Sequence, residues 1–262
     1  LEPPKGVAMD GFLKKAKLLK GKVDAINITD NQRAVLRLSS LAASKILYDM
    51  DIEPVFQMCC RDRNRIALQS DLLGAHALGI KNVLAISGDY PTLGDQPGAK
   101  IVYDVDSVQL LDMISHLNKG MDVREKKLVG NTSFFAGGVV SPAMVPLEPQ
   151  LIKMKLKVDN GAKFFQTQVV YDIETYKQFN ENLKEYDIGA WILPGILPLR
   201  SAKMARFMND SVPGIRIPDE VIHRIENASN PQKEGMEIAA EMIEQLKPIS
   251  DGVHIMTVGK EE

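Results

Sequence analysis

Hydrophobic and polar positions follow two alternating periods along the chain. Runs rich in β-branched and apolar residues at 23–29, 54–60, 82–87, 133–140, 163–169, 190–195 and 252–258 predict seven strands. The segments between them carry apolar residues three and four apart and predict helices. Val108, Leu111, Ile114 and Leu117 share one face, as do Leu151, Met154 and Val158. Tyr176, Phe179 and Leu183 make a third such face, and Met236, Ala239, Ile243 and Leu246 a fourth. Several strand runs are apolar at both alternating positions, as parallel strands covered on both sides are. Strand–helix alternation then predicts a parallel sheet with right-handed crossovers.

With residues 1–4 read as the tail of an eighth strand, eight βα units in about 250 residues match a (β/α)8 TIM barrel. An open doubly wound sheet competes with it, but would follow its first strand with Gly-x-Gly-x-x-Gly, which is absent. No linker interrupts the pattern, so 1–262 is expected to be a single domain. The Pro/Gly-rich stretch at 90–98 reads as one long βα loop inside it.

Composition narrows the function classes. The 262 residues are 45% hydrophobic and 25% charged, which is globular composition rather than that of a disordered chain. Lys+Arg 32 against Asp+Glu 34 gives a net charge of −2, with no basic excess to neutralise a phosphate backbone. Nucleic acid is therefore not expected as a partner. The two cysteines, Cys59 and Cys60, are adjacent and cannot bridge without strain, which fits a reducing compartment. No apolar run approaches the ~20 residues of a membrane span, and no charged leader precedes an apolar stretch. A cytoplasmic protein is expected.

In a barrel, chemistry gathers beyond the C-terminal ends of the strands. Those ends carry Thr29-Asp30-Asn31, Cys60-Arg61-Asp62-Arg63-Asn64, Ser87-Gly88-Asp89-Tyr90-Pro91, Ser141-Pro142, Gln166-Thr167-Gln168, Pro194-Gly195 and His254-Ile255-Met256-Thr257. Asp89 is the leading candidate, because a carboxylate after glycine at a strand end can be aimed at a ligand. A turn aspartate bonding its own backbone is the alternative. Gln166 and Gln168 share a strand face and offer amide donors and acceptors, or are satisfied buried amides. Asp62 and Asn64 read equally as helix caps. Arg61, Arg63 and Arg65 read as a solvated helix face, and Lys157 as a charged helix terminus. The four histidines have no metal-ligand spacing, and no Gly-x-Ser-x-Gly elbow occurs.

Five segments in order resemble the methylenetetrahydrofolate reductase family: Cys60-Arg-Asp-Arg-Asn-Arg-Ile-Ala-Leu-Gln, Ile86-Ser-Gly-Asp-Tyr-Pro, Lys157-Val-Asp-Asn-Gly-Ala, Phe165-Gln-Thr-Gln-Val-Val-Tyr-Asp and Pro194-Gly-Ile-Leu-Pro. The resemblance covers essentially the whole chain and implies a flavin-containing barrel. It implies that NADH or NADPH reduces bound FAD, which passes hydride to 5,10-methylenetetrahydrofolate. A subunit fed electrons by a partner protein and a pterin-binding methyltransferase without redox chemistry are the competing functions. A homo-oligomer or a subunit of a redox complex is the expected assembly.

Carried over by position, Asp89 resembles the aspartate beside the flavin pyrimidine and the pterin, and Gln168 the glutamine contacting folate and nicotinamide. Thr29, Tyr103 and Lys157 match flavin-contacting positions, the last near phosphate or ribitol oxygens. Gly88 and Asp106 are further expected cofactor contacts, and Phe207 an expected folate contact. Gln57 stands where many members have histidine, Ser87 where some have arginine, and Ser141 where a tyrosine occurs. These departures admit FMN in place of FAD. The family's acid is the glutamate of Glu-x-x-Pro-Pro. Pro3-Pro4 match, which sets that position just before Leu1 and leaves Glu2 as the fallback acid. The first strand and last helix are accordingly expected to be incomplete.

Overall fold

The computed structural model describes residues 1–257. Val258, the expected end of the last strand, and the closing residues 259–262 lie outside the described residues. Seven strands follow chain order through one sheet: β1 (Ile26–Ile28), β2 (Pro54–Cys59), β3 (Asn82–Ile86), β4 (Phe135–Val140), β5 (Phe164–Val169), β6 (Trp191–Ile196) and β7 (His254–Ile255). The registered pairs are parallel. The result is an α/β fold with a parallel sheet. All seven expected runs contain a strand, some of them shorter than expected. No helix among the described residues is long and apolar enough to cross a membrane.

The chain divides into two compact units. Among the described residues the first comprises 1–138 and 159–162, the second 139–158 and 163–257, so that the division falls within β4. In the first unit, α1 (Asp10–Leu19) and α2 (Ser40–Tyr48) lie beside β1 and β2. Phe12, Ala16, Ile26, Ile28, Ala43, Leu47 and Ile52 form one buried cluster. Each large side chain buried there contributes about 1.5–3 kcal/mol. Helix α3 (Arg65–Ala77) starts at Asn64, whose side chain accepts from the Ile66 and Ala67 amides. Asn64 is thus the helix cap that its residue type suggested. Helix α4 (Ser107–Asn118) opens with a full capping box between Asp106 and Gln109.

Leu1 runs beside β1 as an extra backbone partner. Its nitrogen donates to the Asn27 carbonyl at 2.5 Å, and its carbonyl accepts from Thr29 N–H at 3.2 Å. That is the spacing of a parallel pair. Pro3 and Pro4 have no N–H to continue the ladder, which keeps the contact short.

In the second unit, α5 (Glu148–Asp159) and α6 (Ile173–Glu185) flank β5 in sequence, and α7 (Ala202–Ser211), α8 (Asp219–Glu226) and α9 (Pro231–Leu246) lie between β6 and β7. Tyr176, Phe179 and Leu183 are buried on α6 as the spacing requires. On α9 the expected face is rotated: Met236 is 57% exposed, and Ile238, Ala239, Met242 and Leu246 are buried. Gly235 sets the rotation, because a Cβ there would lie 1.7 Å from the Leu199 carbonyl oxygen. The helix therefore packs its glycine, not Met236, against the chain following β6.

Candidate active site

In the first unit, the C-terminal ends of three neighbouring strands bring together Thr29, Asn31, Cys59, Arg61, Gly88, Asp89 and Tyr103. Gly88 has φ +93°, and a Cβ on it would fall 2.1 Å from Cys59 Sγ. Only glycine meets both conditions without strain. The Tyr103 hydroxyl donates to the Gly88 carbonyl at 2.7 Å, and the Tyr103 ring meets Tyr90 edge-on at 5.9 Å. Burial raises the Tyr103 pKa above the ordinary phenol value, so the hydroxyl stays a donor at neutral pH.

Asp89 is exposed. Its Oδ2 accepts from the backbone N–H of Arg33 at 3.0 Å. Asn31, Arg33 and Ala34 have φ of 46°, 56° and 55°, so the loop after β1 is held in the left-handed region to make that contact. Asp89 is therefore not a turn aspartate closing on its own backbone. It is anchored through one oxygen by a separate loop.

Arg61 is 3% exposed rather than solvated. Its Nε and Nη2 donate to the two Asp62 oxygens at 2.7 and 2.6 Å. Nη2 also donates to Asn31 O at 3.3 Å, and Nη1 to Asp89 O at 3.1 Å. The Asp62 hydrogen bonds raise the Arg61 pKa. Arg63 is likewise drawn in, donating to the buried Asp30 carboxylate at 2.7 and 3.3 Å. Only Arg65 behaves as a surface arginine, paired with Asp104 at 2.7 Å. A buried guanidinium needs carboxylate or carbonyl partners on several sides, and these come from separate loops.

Thr29 Oγ1 is buried with no hydrogen-bond partner. An orphaned hydroxyl at a strand end is suited to a polar ligand group. Gln57 is half-buried on β2, its carbonyl accepting from Ser40 Oγ at 3.1 Å. Ser87 O accepts from Cys59 Sγ at 3.4 Å, and burial raises the Cys59 thiol to about 11. Asp106 is engaged as a helix cap, accepting from the Val108 and Gln109 amides at 2.9 Å. Glu2 lies in an ion pair with Arg37 at 2.9 Å.

In the second unit, β5 breaks register against β6 between Gln166 and Val169. The break loosens the expected shared face: Gln166 is buried and Gln168 half-buried. Gln168 Oε1 accepts from the Val169 amide at 3.2 Å. Thr167 Oγ1 donates to Gln168 O at 2.6 Å and accepts from Gly195 N–H at 3.0 Å. Lys157 is not an exposed helix terminus but 4% exposed. Its Nζ donates to Val139 O at 2.8 Å and lies 5.9 Å from the Phe165 ring centre. Ser141 packs under Gly214, where a Cβ would come within 2.9 Å of the Ser141 Cβ. Phe207 is 62% exposed on α7.

Local sequence reasoning misplaced Arg61, Arg63 and Lys157, all of them drawn inward, and of these Arg61 lies nearest Asp89. The available signal for Arg61 was its place directly after the buried strand end Cys59-Cys60, where a long charged side chain can fold back into the loops.

A methylenetetrahydrofolate reductase family model matches residues 1–262. A Caenorhabditis elegans protein named as a probable methylenetetrahydrofolate reductase (NADPH) is 27% identical over 88% of this chain and 34% of its own length. The 5,10-methylenetetrahydrofolate reductase of Salmonella typhimurium is 27% identical over 80% of this chain and 67% of its own. The match thus spans about a third of the nematode protein and two thirds of the bacterial one. A solved Clostridium thermocellum protein described as binding two copies of 5-methyl-5,6,7,8-tetrahydrofolic acid has a like fold. It has a TM-score of 0.69 and 18% identity, over 98% of this chain and 86% of its own. With the expected motifs at the strand ends and the family model covering every residue, this chain belongs to the methylenetetrahydrofolate reductase family.

Proposed function

We infer that this chain reduces 5,10-methylenetetrahydrofolate to 5-methyltetrahydrofolate, with bound FAD or FMN as the redox group and NADH or NADPH as donor. The observation that carries the reading is Asp89, an exposed carboxylate just beyond the end of β3 whose Oδ2 is fixed by the Arg33 amide. Family membership supports the substrate, and the names of relatives support a pyridine nucleotide. The reading takes 1–262 as a single flavin-binding domain and the parallel sheet as the body of a (β/α)8 barrel.

Flavin, when bound, supplies the hydride. The orphaned Thr29 hydroxyl suits a polar edge of the flavin ring at the strand ends, and Gly88 would meet that ring through its backbone, since its side-chain position is closed by Cys59 and Arg61. Buried Lys157 provides an ammonium for phosphate or ribitol oxygens. Asp106 is committed to its helix and is left out of this assignment.

Before the folate accepts hydride, its five-membered ring opens to an iminium cation. A fixed carboxylate stabilises that developing charge, and this is the role of Asp89. Gln168 supplies an amide to the pterin, and Phe207 an exposed ring face for stacking. Removing the Gln168 amide leaves its folate partner unpaired, so Gln168→Ala should weaken folate binding about tenfold. An unchanged folate dissociation constant by calorimetry removes the residue from the site.

Ring opening also needs protonation of N10. Glu2 is held by Arg37 and half exposed, so it is not assigned as that acid. Glu2→Gln should change turnover by less than about twofold; a hundredfold loss would restore it.

The deciding experiment is the visible spectrum of the purified protein after flavin reconstitution, followed by anaerobic titration with NADH and NADPH. Bleaching by either, then recovery on adding methylenetetrahydrofolate, is expected. A colourless protein points to a pterin methyltransferase. A flavin bleached only with a partner protein points to a subunit of a larger redox complex.

A further inference from the structure

We propose that Arg61 is a positioning residue for Asp89: the buried guanidinium fixes the peptide from which the Asp89 side chain projects. It joins the loops after β1, β2 and β3 through one planar group. Nη2 donates to Asn31 O at 3.3 Å, Nε and Nη2 to Asp62, and Nη1 to Asp89 O at 3.1 Å. Two successive carbonyls of the β3 loop are thereby taken, Gly88 O by the Tyr103 hydroxyl and Asp89 O by Arg61. With both peptide planes fixed, the Asp89 carboxylate is held at its tip by the Arg33 amide. The guanidinium also packs beneath Gly88, where a Cβ would lie 3.2 Å from Arg61 Cβ and 3.7 Å from its Nη1.

Arg61 is suited to this role and lysine is not. A guanidinium offers five donors in a fixed plane, whereas an ammonium is a point charge with no fork. The Asn31 link carries the effect to the strained loop whose Arg33 amide grips Asp89. Arg61 therefore controls both the root and the tip of the carboxylate. A shift of about 1 Å in a charge-stabilising group costs on the order of 10²-fold in rate.

The assignment of a rate effect rests on the reductase reading, so the test includes a measurement independent of activity. Hydrogen–deuterium exchange on Arg61→Lys should rise about tenfold or more in peptides covering 30–34 and 87–91. Exchange in α9 should be unchanged. In stopped flow, Arg61→Lys should slow folate reduction by about 10- to 100-fold while flavin reduction stays within about twofold. In the Asp89→Asn background the same substitution should add little, because its effect passes through that carboxylate.

Unchanged exchange at both loops overturns the proposal. So does equal slowing of both half-reactions, or full multiplication of the two substitutions' effects. If the wild-type protein reduces no methylenetetrahydrofolate, the reductase reading fails and the exchange result alone decides for or against Arg61. Should Arg61→Lys not fold, Asp62→Asn loosens the same fork from the half-exposed side. It is expected to raise exchange at both loops to a smaller extent, and no rise counts against the proposal.

Discussion

Asp89→Asn should slow hydride delivery to methylenetetrahydrofolate by about 10²- to 10³-fold, while flavin reduction by pyridine nucleotide stays within about twofold. The substitution is nearly isosteric. An asparagine oxygen can still accept from the Arg33 amide that bonds Oδ2 at 3.0 Å, so the loop keeps its conformation. Only the negative charge is lost. That charge matters where a cation develops, which on this reading happens on the pterin and not during flavin reduction. Stopped-flow measurement of the two half-reactions separates the cases. Equal slowing of both would show that Asp89 shapes the pocket rather than stabilising charge.

The second large effect is on stability. Gly88→Ala should lower the unfolding midpoint by about 10 °C, from two separable causes. A side chain at φ +93° costs about 1–3 kcal/mol in backbone strain. A Cβ placed 2.1 Å from Cys59 Sγ forces one group to move, typically for another ~1–3 kcal/mol. Adding Cys59→Ala to Gly88→Ala should remove the steric part and leave the strain. Thermal unfolding followed by circular dichroism measures both. A midpoint for the single substitution within about 2 °C of wild type would contradict the close packing of the β3 loop on β2.

Element type was legible wherever burial on both faces leaves continuous apolar runs, as at Val83-Leu84-Ala85 and Phe164-Phe165. Ends were less so. The run from 23 shortens to Ile26–Ile28 because Val23 and Asp24 are exposed and precede the sheet. Helix rotation was legible on α6, where three large residues agree, and not on α9, where Gly235 against Leu199 decides it. No periodicity announces a backbone contact of that kind.

The site shows the same division. Gly88-Asp89 could be read locally, because a positive-φ glycine and a neighbouring carboxylate are properties of the segment itself. The burial of Arg61 could not. Its partners Asn31 and Asp89 lie 30 and 28 residues away, and without them the run Arg61-Asp62-Arg63-Asn64-Arg65 resembles any solvated helix start. Lys157 misled in the same way, since its carbonyl partner on Val139 is supplied by another element.

The two cysteines carry a practical consequence. Both are buried, and burial pushes the Cys59 thiol up to about 11, so it stays protonated at neutral pH. Thiol reagents attack the thiolate, so a cysteine introduced on an exposed loop would react far ahead of the native pair. Fluorophores or spin labels can therefore be placed on the loops around Asp89 with the native thiols left in place.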